Sequence, residues 1–494
     1  MKRINLLIAA LMFTTALVAQ NVTFLSLPQK NKDANSYSSL AGGMIGKIGD
    51  KLYFSQAKAN NLGKVTEKSF LVYDATTLKL LDTKVFNDDK KDKLYDENEY
   101  GIIGGQLFSI SYNAPETKGE AIYNYKIVKY NNETFKVDDE QPLFTFKRTK
   151  AKIYDNPVRV SASSSPNGDY YVYSVMNIGN GDYSIGVVGK DLKPVWTAEG
   201  NQKPVSAYWS YITTAVNNKG EAVILLNDKD ESQKKFKSHC LGFDSKGNAT
   251  GATEVIVGGK QIHYTDIKVD NDGDFIIAGT TYQKYDSNDV LVYASGCFYT
   301  KLKPELKGIE KPVFEALKPN KKGKYEDAVK VRQIFPNGDD VVVVLEIWSY
   351  SESNGKRTEL CYSNIVANFT PKGNNVFTMY KSISTVTGNC NAGAPLYAFK
   401  NDKLYILHND NPANLNVKNW DDIVLRVCQN TNIVLVTCDV AAGTYEKEEI
   451  ADRKSKDFFF ISYPTSLVDG DDVYFQSLVG GPQGEGGIGK LTFK

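Results

Sequence analysis

The sequence predicts an all-β chain folded as a β-propeller of eight blades, and three observations carry the prediction. Tight-turn residues recur eight times between apolar runs. The aromatic content is high and poor in Met. The chain ends one strand short of a full repeat, yet begins with an orphan strand.

Hydrophobic residues make up 41% of the chain, and 30 Tyr and 23 Phe stand beside 5 Met. Such side chains suit pleated, half-buried surfaces better than packed helices. A chain of 494 residues would make several ordinary domains, but a closed array of repeats uses the same length as one.

The turns come in order. Gly49-Asp50 precedes Lys51 to Phe54, Gly104-Gly105 precedes Gln106 to Phe108, and Pro166-Asn167-Gly168-Asp169 precedes Tyr170 to Tyr173. Asn217 to Gly220 precedes Ala222 to Leu225, and Asn271 to Asp274 precedes Phe275 to Ile277. Pro336 to Asp339 precedes Val341 to Leu345, Lys400-Asn401-Asp402 precedes Leu404 to Ile406, and Asp469-Gly470-Asp471 precedes Val473 to Phe475. Gly and Asn accept the positive φ of tight hairpins, so each reads as strand-turn-strand.

Roughly 50 to 70 residues separate successive turns, room for a polar loop, a third strand, a second turn and a fourth strand. Third strands are expected at Ser69 to Tyr73, Tyr123 to Tyr130, Tyr183 to Val188, Ser238 to Phe243, Cys297 to Leu302, Tyr362 to Phe369 and Ile423 to Cys428. Small residues such as Ser161 to Ser165 and Thr213 to Ala215 mark the strands before the turns as the crowded innermost ones. The final hairpin is followed by Gly486 to Phe493 alone, and Val22 to Leu25 is expected to pair there and close the ring, removing exposed edges. Seven blades, or a β-sandwich or two stacked all-β domains in place of the ring, are the alternatives.

Three stretches resemble known repeats. Ser165-Pro166-Asn167-Gly168-Asp169-Tyr170-Tyr171-Val172-Tyr173 is similar to the repeat of TolB-like propellers. Val269 to Thr280 with Phe298 to Leu302 resembles another bacterial propeller repeat. Tyr73 to Lys79 faintly resembles the quinoprotein-like repeat but lacks its docking Trp. The resemblance covers two or three blades and implies fold alone.

Lys2 and Arg3, an apolar run to Phe13 and small residues at Ala16 and Ala19 are the pattern of a secretory signal peptide. The run is too short for a spanning helix, which needs about 20 residues. The expected organisation is a signal over residues 1–19 and one propeller over 20–494, exported to the periplasm or beyond, with no transmembrane segment after signal removal. Removing Lys2 and Arg3 from the 59 basic residues leaves 57 against 58 acidic ones, a balance that argues against a nucleic-acid partner. The six cysteines are spaced irregularly, so disulfides are permitted but not required.

Dedicated chemistry is hard to find. The three histidines, His239, His263 and His408, form no metal-ligand spacing, so no metal and no cofactor is expected. Asp270, Asp272 and Asp274 alternate as in a calcium loop, but no distal Glu completes it, and a plain hairpin turn is the better reading. No nucleophile elbow or phosphate loop occurs.

In a propeller the loops between second and third strands open on one face with those that join blades. Here they contain Tyr112, Tyr282, Tyr285, Asp286, Trp348, Tyr350, His408 and Trp420. Aromatics among Asn and Asp stack on sugars or anchor a protein. These residues are therefore the candidate ligand-binding set, and the expected function is engagement of a protein or glycan through that face. The rival is a propeller hydrolase or lyase acting on glycans, which needs two neighbouring carboxylates with raised pKa.

Overall fold

A computed structural model describes residues 43–59, 65–86, 99–113, 120–149, 158–202, 211–230, 235–282, 294–302, 306–317, 328–353, 356–386, 395–419, 422–424, 432–452, 459–479 and 485–493. They form 31 strands in eight antiparallel sheets, seven of four strands and one of three, each made of consecutive strands in chain order. The molecule is an eight-bladed β-propeller. Blades one to eight span residues 44–86, 99–149, 158–201, 211–254, 261–316, 328–386, 396–451 and 459–492. Helical structure among the described residues is confined to short 3-10 turns such as Pro412–Asn414, and no helix is long and apolar enough to cross a membrane.

All eight expected turns join the first and second strands of a blade. At the seventh, Asn401 and Asp402 both take positive φ, 49° and 58°, which the primed hairpin turn requires of its two central residues. The third strand of blade seven departs from expectation, for it is Asn432–Asp439 and not Ile423 to Cys428. Asn414 explains part of the difference. Its side-chain amide donates to the Val424 carbonyl at 2.9 Å and its oxygen accepts from the Val424 N–H at 2.8 Å, so Val424 is held to a loop instead of a ladder.

Each second strand is buried on both faces, and alternation decides which neighbour a side chain meets. In blade six Val341, Val343, Leu345 and Ile347 pack toward blade five, while Val342 and Val344 pack toward blade seven. Eight such clusters exist among the described residues, each shared by two neighbouring sheets. One of them joins Leu52, Phe54 and Tyr73 of blade one to Tyr474 and Ile488 of blade eight, so the ring closes through its core. The orphan strand, Val22 to Leu25, lies outside the described residues.

The short-turn face is tied turn to turn. Asn167 N–H donates to Asn218 (3.0 Å), Asn217 to the Gly273 carbonyl (3.1 Å), Asn337 to Asp402 (2.7 Å) and Lys400 to the Gly470 carbonyl (3.1 Å). An ion pair between Lys47 and Asp469 links blade one to blade eight. Asp270 is part of a plain turn. Its carboxylate accepts from the N–H groups of Asp272 (3.1 Å) and Asp274 (2.7 Å) and pairs with Lys301 at 3.3 Å.

Candidate functional site on the inner wall

The first strand of each blade lines the axis, and its axis-side N–H and C=O groups have no further strand to pair with. Tyrosines answer part of that need. The Tyr211 hydroxyl of blade four donates to the Thr265 carbonyl of blade five (3.2 Å) and accepts from its N–H (3.3 Å). The Tyr282 hydroxyl of blade five does the same for Val329 of blade six, at 3.3 and 3.1 Å. It also meets His263 Nδ1 at 3.1 Å. His263 is packed edge-on against Phe236, Tyr264 and Tyr282, with centroids 4.3, 3.8 and 4.7 Å away.

The next seam holds the charges. Glu346, on the second strand of blade six (Asp340–Ser353), is wholly buried in the run Val341 to Ile347. A buried carboxylate costs several kcal/mol unless it is paired and hydrogen-bonded. Arg332 Nε donates to one of its oxygens, and the Tyr397 hydroxyl of blade seven donates to the other at 2.6 Å. Tyr397 in turn accepts from the Asn364 amide at 2.9 Å. Arg332 lies where the register of the first strand (Ala328–Asn337) shifts, between Val331 and Gln333, and a bulge re-aims the side chain it carries. Lys330 stands directly across from Glu346 in the ladder, and its Nζ lies 5.4 Å from the Tyr264 ring centroid. The Arg332 side chain of the pair with Glu346 stays 36% exposed.

Other titratable groups on this half of the wall are shifted by desolvation. Burial pushes the Asp266 carboxyl up against the opposing pull of Lys268. Desolvation also raises Glu99 on blade two, and the Tyr211 phenol on blade four.

Among the described side chains expected to form the site, one makes contacts within this constellation. Tyr282 is part of it, although it is buried at the end of a strand (Phe275–Tyr282). Tyr112 packs between Tyr123 and Tyr125, at 5.3 and 5.4 Å, within a strand instead of a loop. Trp348 and Tyr350 also belong to a strand, paired with Cys361 and Glu359, and their side chains lie outside the described residues. His408 is buried in the second strand of blade seven, followed by a polar knot in which Asp410 accepts from Asn411 N–H and the Asn414 amide, both at 2.8 Å. Tyr285, Asp286 and Trp420 lie outside the described residues. Sequence pattern alone passes over Tyr264, Lys330, Arg332, Glu346 and Tyr397. A single Glu inside seven otherwise apolar positions, Val341 to Ile347, is the signal that could lead to them.

No protein-family model matches the chain, and no curated protein is similar to it by sequence. Its fold is similar to that of several solved propellers. The WD40 domain of SCAP from fission yeast is 10% identical, with a TM-score of 0.41 over 95% of this chain and 98% of that one. An oligogalacturonate lyase in complex with manganese is 11% identical, with a TM-score of 0.38 over 96% of both chains. The β-propeller domain of the trilobed protease from Pyrococcus furiosus is 10% identical, with a TM-score of 0.35 over 81% of this chain and 93% of that one. These likenesses concern fold alone.

Proposed function

We propose that the protein is an exported binding propeller that takes its ligand, a protein or a glycan, at the long-loop end of the inner wall. One contrast carries this reading. On the short-turn face Asn, Asp and Lys side chains are consumed in linking one turn to the next. On the inner wall toward the long loops, Tyr264, Lys330 and Arg332 form a half-exposed polar and aromatic group on a rigid frame. Binding groups whose own side chains are already held by buried hydrogen bonds are pre-organised for a ligand.

Acid–base catalysis asks for a neighbouring pair of tuned carboxyls. Among the described residues of the first strands, the raised carboxyls Glu99 and Asp266 stand on blades two and five, and Glu346 is already engaged by Arg332 and Tyr397. The arrangement favours binding. Export rests on the charged, apolar and small-residue succession from Lys2 to Ala19.

The test is a glycan array run beside a pull-down from an envelope fraction. Three proteins are compared: residues 20–494 unchanged, a Tyr264→Ala variant, and a control altered only on the opposite face, Asp402→Asn. Specific capture that Tyr264→Ala weakens and Asp402→Asn leaves intact is the expected result. Capture lost only in the Asp402→Asn protein, or no capture in either format, overturns the reading. N-terminal sequencing of the secreted or envelope form checks export, and a terminus at Met1 contradicts it.

A further inference from the structure

We propose that Asn337 is a site of spontaneous modification, at which the main-chain nitrogen of Gly338 closes on the Asn337 side chain and the resulting aspartate or isoaspartate cuts a tie between blades six and seven.

The same tripeptide, Asn-Gly-Asp, occurs at Asn167, Asn180 and Asn337, so sequence alone does not distinguish them. A fourth Asn-Gly pair, Asn354-Gly355, lies outside the described residues. Glycine has no Cβ to shield the nitrogen that follows Asn. Ring closure then needs that nitrogen to be loose and the side-chain amide free to turn toward it. At the first two positions both groups are held. Gly168 N–H donates to the Ser165 carbonyl at 2.9 Å, and Gly181 N–H to the Asn177 carbonyl at 2.7 Å. The Asn167 amide accepts from the Asp169 N–H and donates to its carboxylate, both at 3.0 Å, and accepts from the Ser165 hydroxyl at 2.7 Å. Asn180 is pinned to Asp182 in the same way, at 3.0 and 2.6 Å. Asn337 differs in both respects. Gly338 opens a tight hairpin loop at φ 59°, its N–H donates to no group among the described residues, and the space beside its Cα is open. The Asn337 amide makes one hydrogen bond among the described residues, to Asp402 of blade seven at 2.7 Å.

In the reaction the Gly338 nitrogen gives up its proton and bonds to Asn337 Cγ while the Cγ–Nδ2 bond breaks, and Nδ2 leaves with that proton as ammonia. Water then opens the cyclic imide at either carbonyl, giving aspartate or isoaspartate and releasing a proton to solvent. Either product carries a carboxylate where the donor to Asp402 stood. Carboxylates are already crowded there. The Asp340 carboxyl is held above its ordinary range by desolvation first and then by the charges of Asp339 and Asp402, against the pull of Lys372. Modification thus exchanges a hydrogen bond between blades for a contact of like charges. Isoaspartate also lengthens the main chain inside the hairpin, where Asn337 pairs with Asp340.

The experiment is incubation of the protein in warm, mildly alkaline buffer, folded and in guanidinium, with peptide mass spectrometry following deamidation at each Asn-Gly-Asp. In the folded protein Asn337 is expected to convert several-fold faster than Asn167 and Asn180. In guanidinium, where the three tripeptides are alike, similar rates are expected. Equal rates in the folded protein, or the same preference in guanidinium, overturn the proposal. Thermal unfolding of Asn337→Asp and of Asn337→Asp/Asp402→Asn tests the severed tie. The single change is expected to lower the midpoint by about 1 to 2 °C. The double change places an amide opposite the carboxylate again and is expected to restore it. An unchanged midpoint in the single variant, or no recovery in the double, overturns the claim that modification cuts the tie.

Discussion

Three cysteines show what burial does to a single side chain. Cys240, Cys297 and Cys438 are free thiols in the seams between blades, and burial pushes each up to about 12. The thiolate is the reactive form, so at pH 8 a thiol of this kind is both inaccessible and protonated. Mass-spectrometric mapping after iodoacetamide treatment is expected to find all three unmodified in the native protein and modified after guanidinium unfolding. Native labelling at any of them would contradict the seam positions. Single residues are also the least legible part of the sequence. Glu346 is conspicuous in an apolar run, but its partners Arg332 and Tyr397 come from other strands, and only the assembled ring brings Tyr397 to it. His408 illustrates the opposite error. Its polar neighbours Asn409 and Asp410 look like a loop in sequence, yet they continue the strand and are buried with it.

At the scale of elements, the turns are legible because their chemistry is local. Gly, Asn and Asp at positive φ announce a hairpin whatever surrounds it, and all eight fall where the residues place them. Strand ends are less so. The strand holding Trp348 and Tyr350 runs on to Ser353, because pairing with Lys356–Phe369 continues past the apolar run. Contacts between blades are not legible at all, and Trp196 is an example. It sits on the fourth strand of blade three (Pro194–Asn201), stacks on Phe243 of blade four at 5.9 Å, and donates its indole N–H to the Gly220 carbonyl at 2.8 Å. Trp196→Phe keeps much of the packing and loses that bond, so a destabilisation of about 1 kcal/mol is expected. Trp196→Ala also opens a cavity, and about 3 to 5 kcal/mol is expected. Urea unfolding measures both: unchanged stability in Trp196→Phe would refute the hydrogen-bond contribution, and equal values for the two variants would refute the separate cavity contribution.

For the whole molecule, the ring is the central claim. Blade eight contributes three described strands, Phe459–Asp469, Asp472–Val479 and Glu485–Thr492, and still packs against blade one through Tyr474, Ile488, Leu52 and Phe54. Closure therefore rests on side chains whose partners are far away in the chain, as the Lys47 to Asp469 pair, 422 residues apart, shows. Such contacts are invisible to local pattern, although the repeat count and the short last blade point to a ring. A zero-length carbodiimide, which joins an amine to a carboxylate in direct contact, tests it most directly. Applied to the monomer and followed by peptide mass spectrometry, it is predicted to join Lys47 to Asp469, together with Lys400 to Asp471 between blades seven and eight. Recovery of the Lys400 to Asp471 link without the Lys47 to Asp469 link would show an open array and contradict the closed eight-bladed ring.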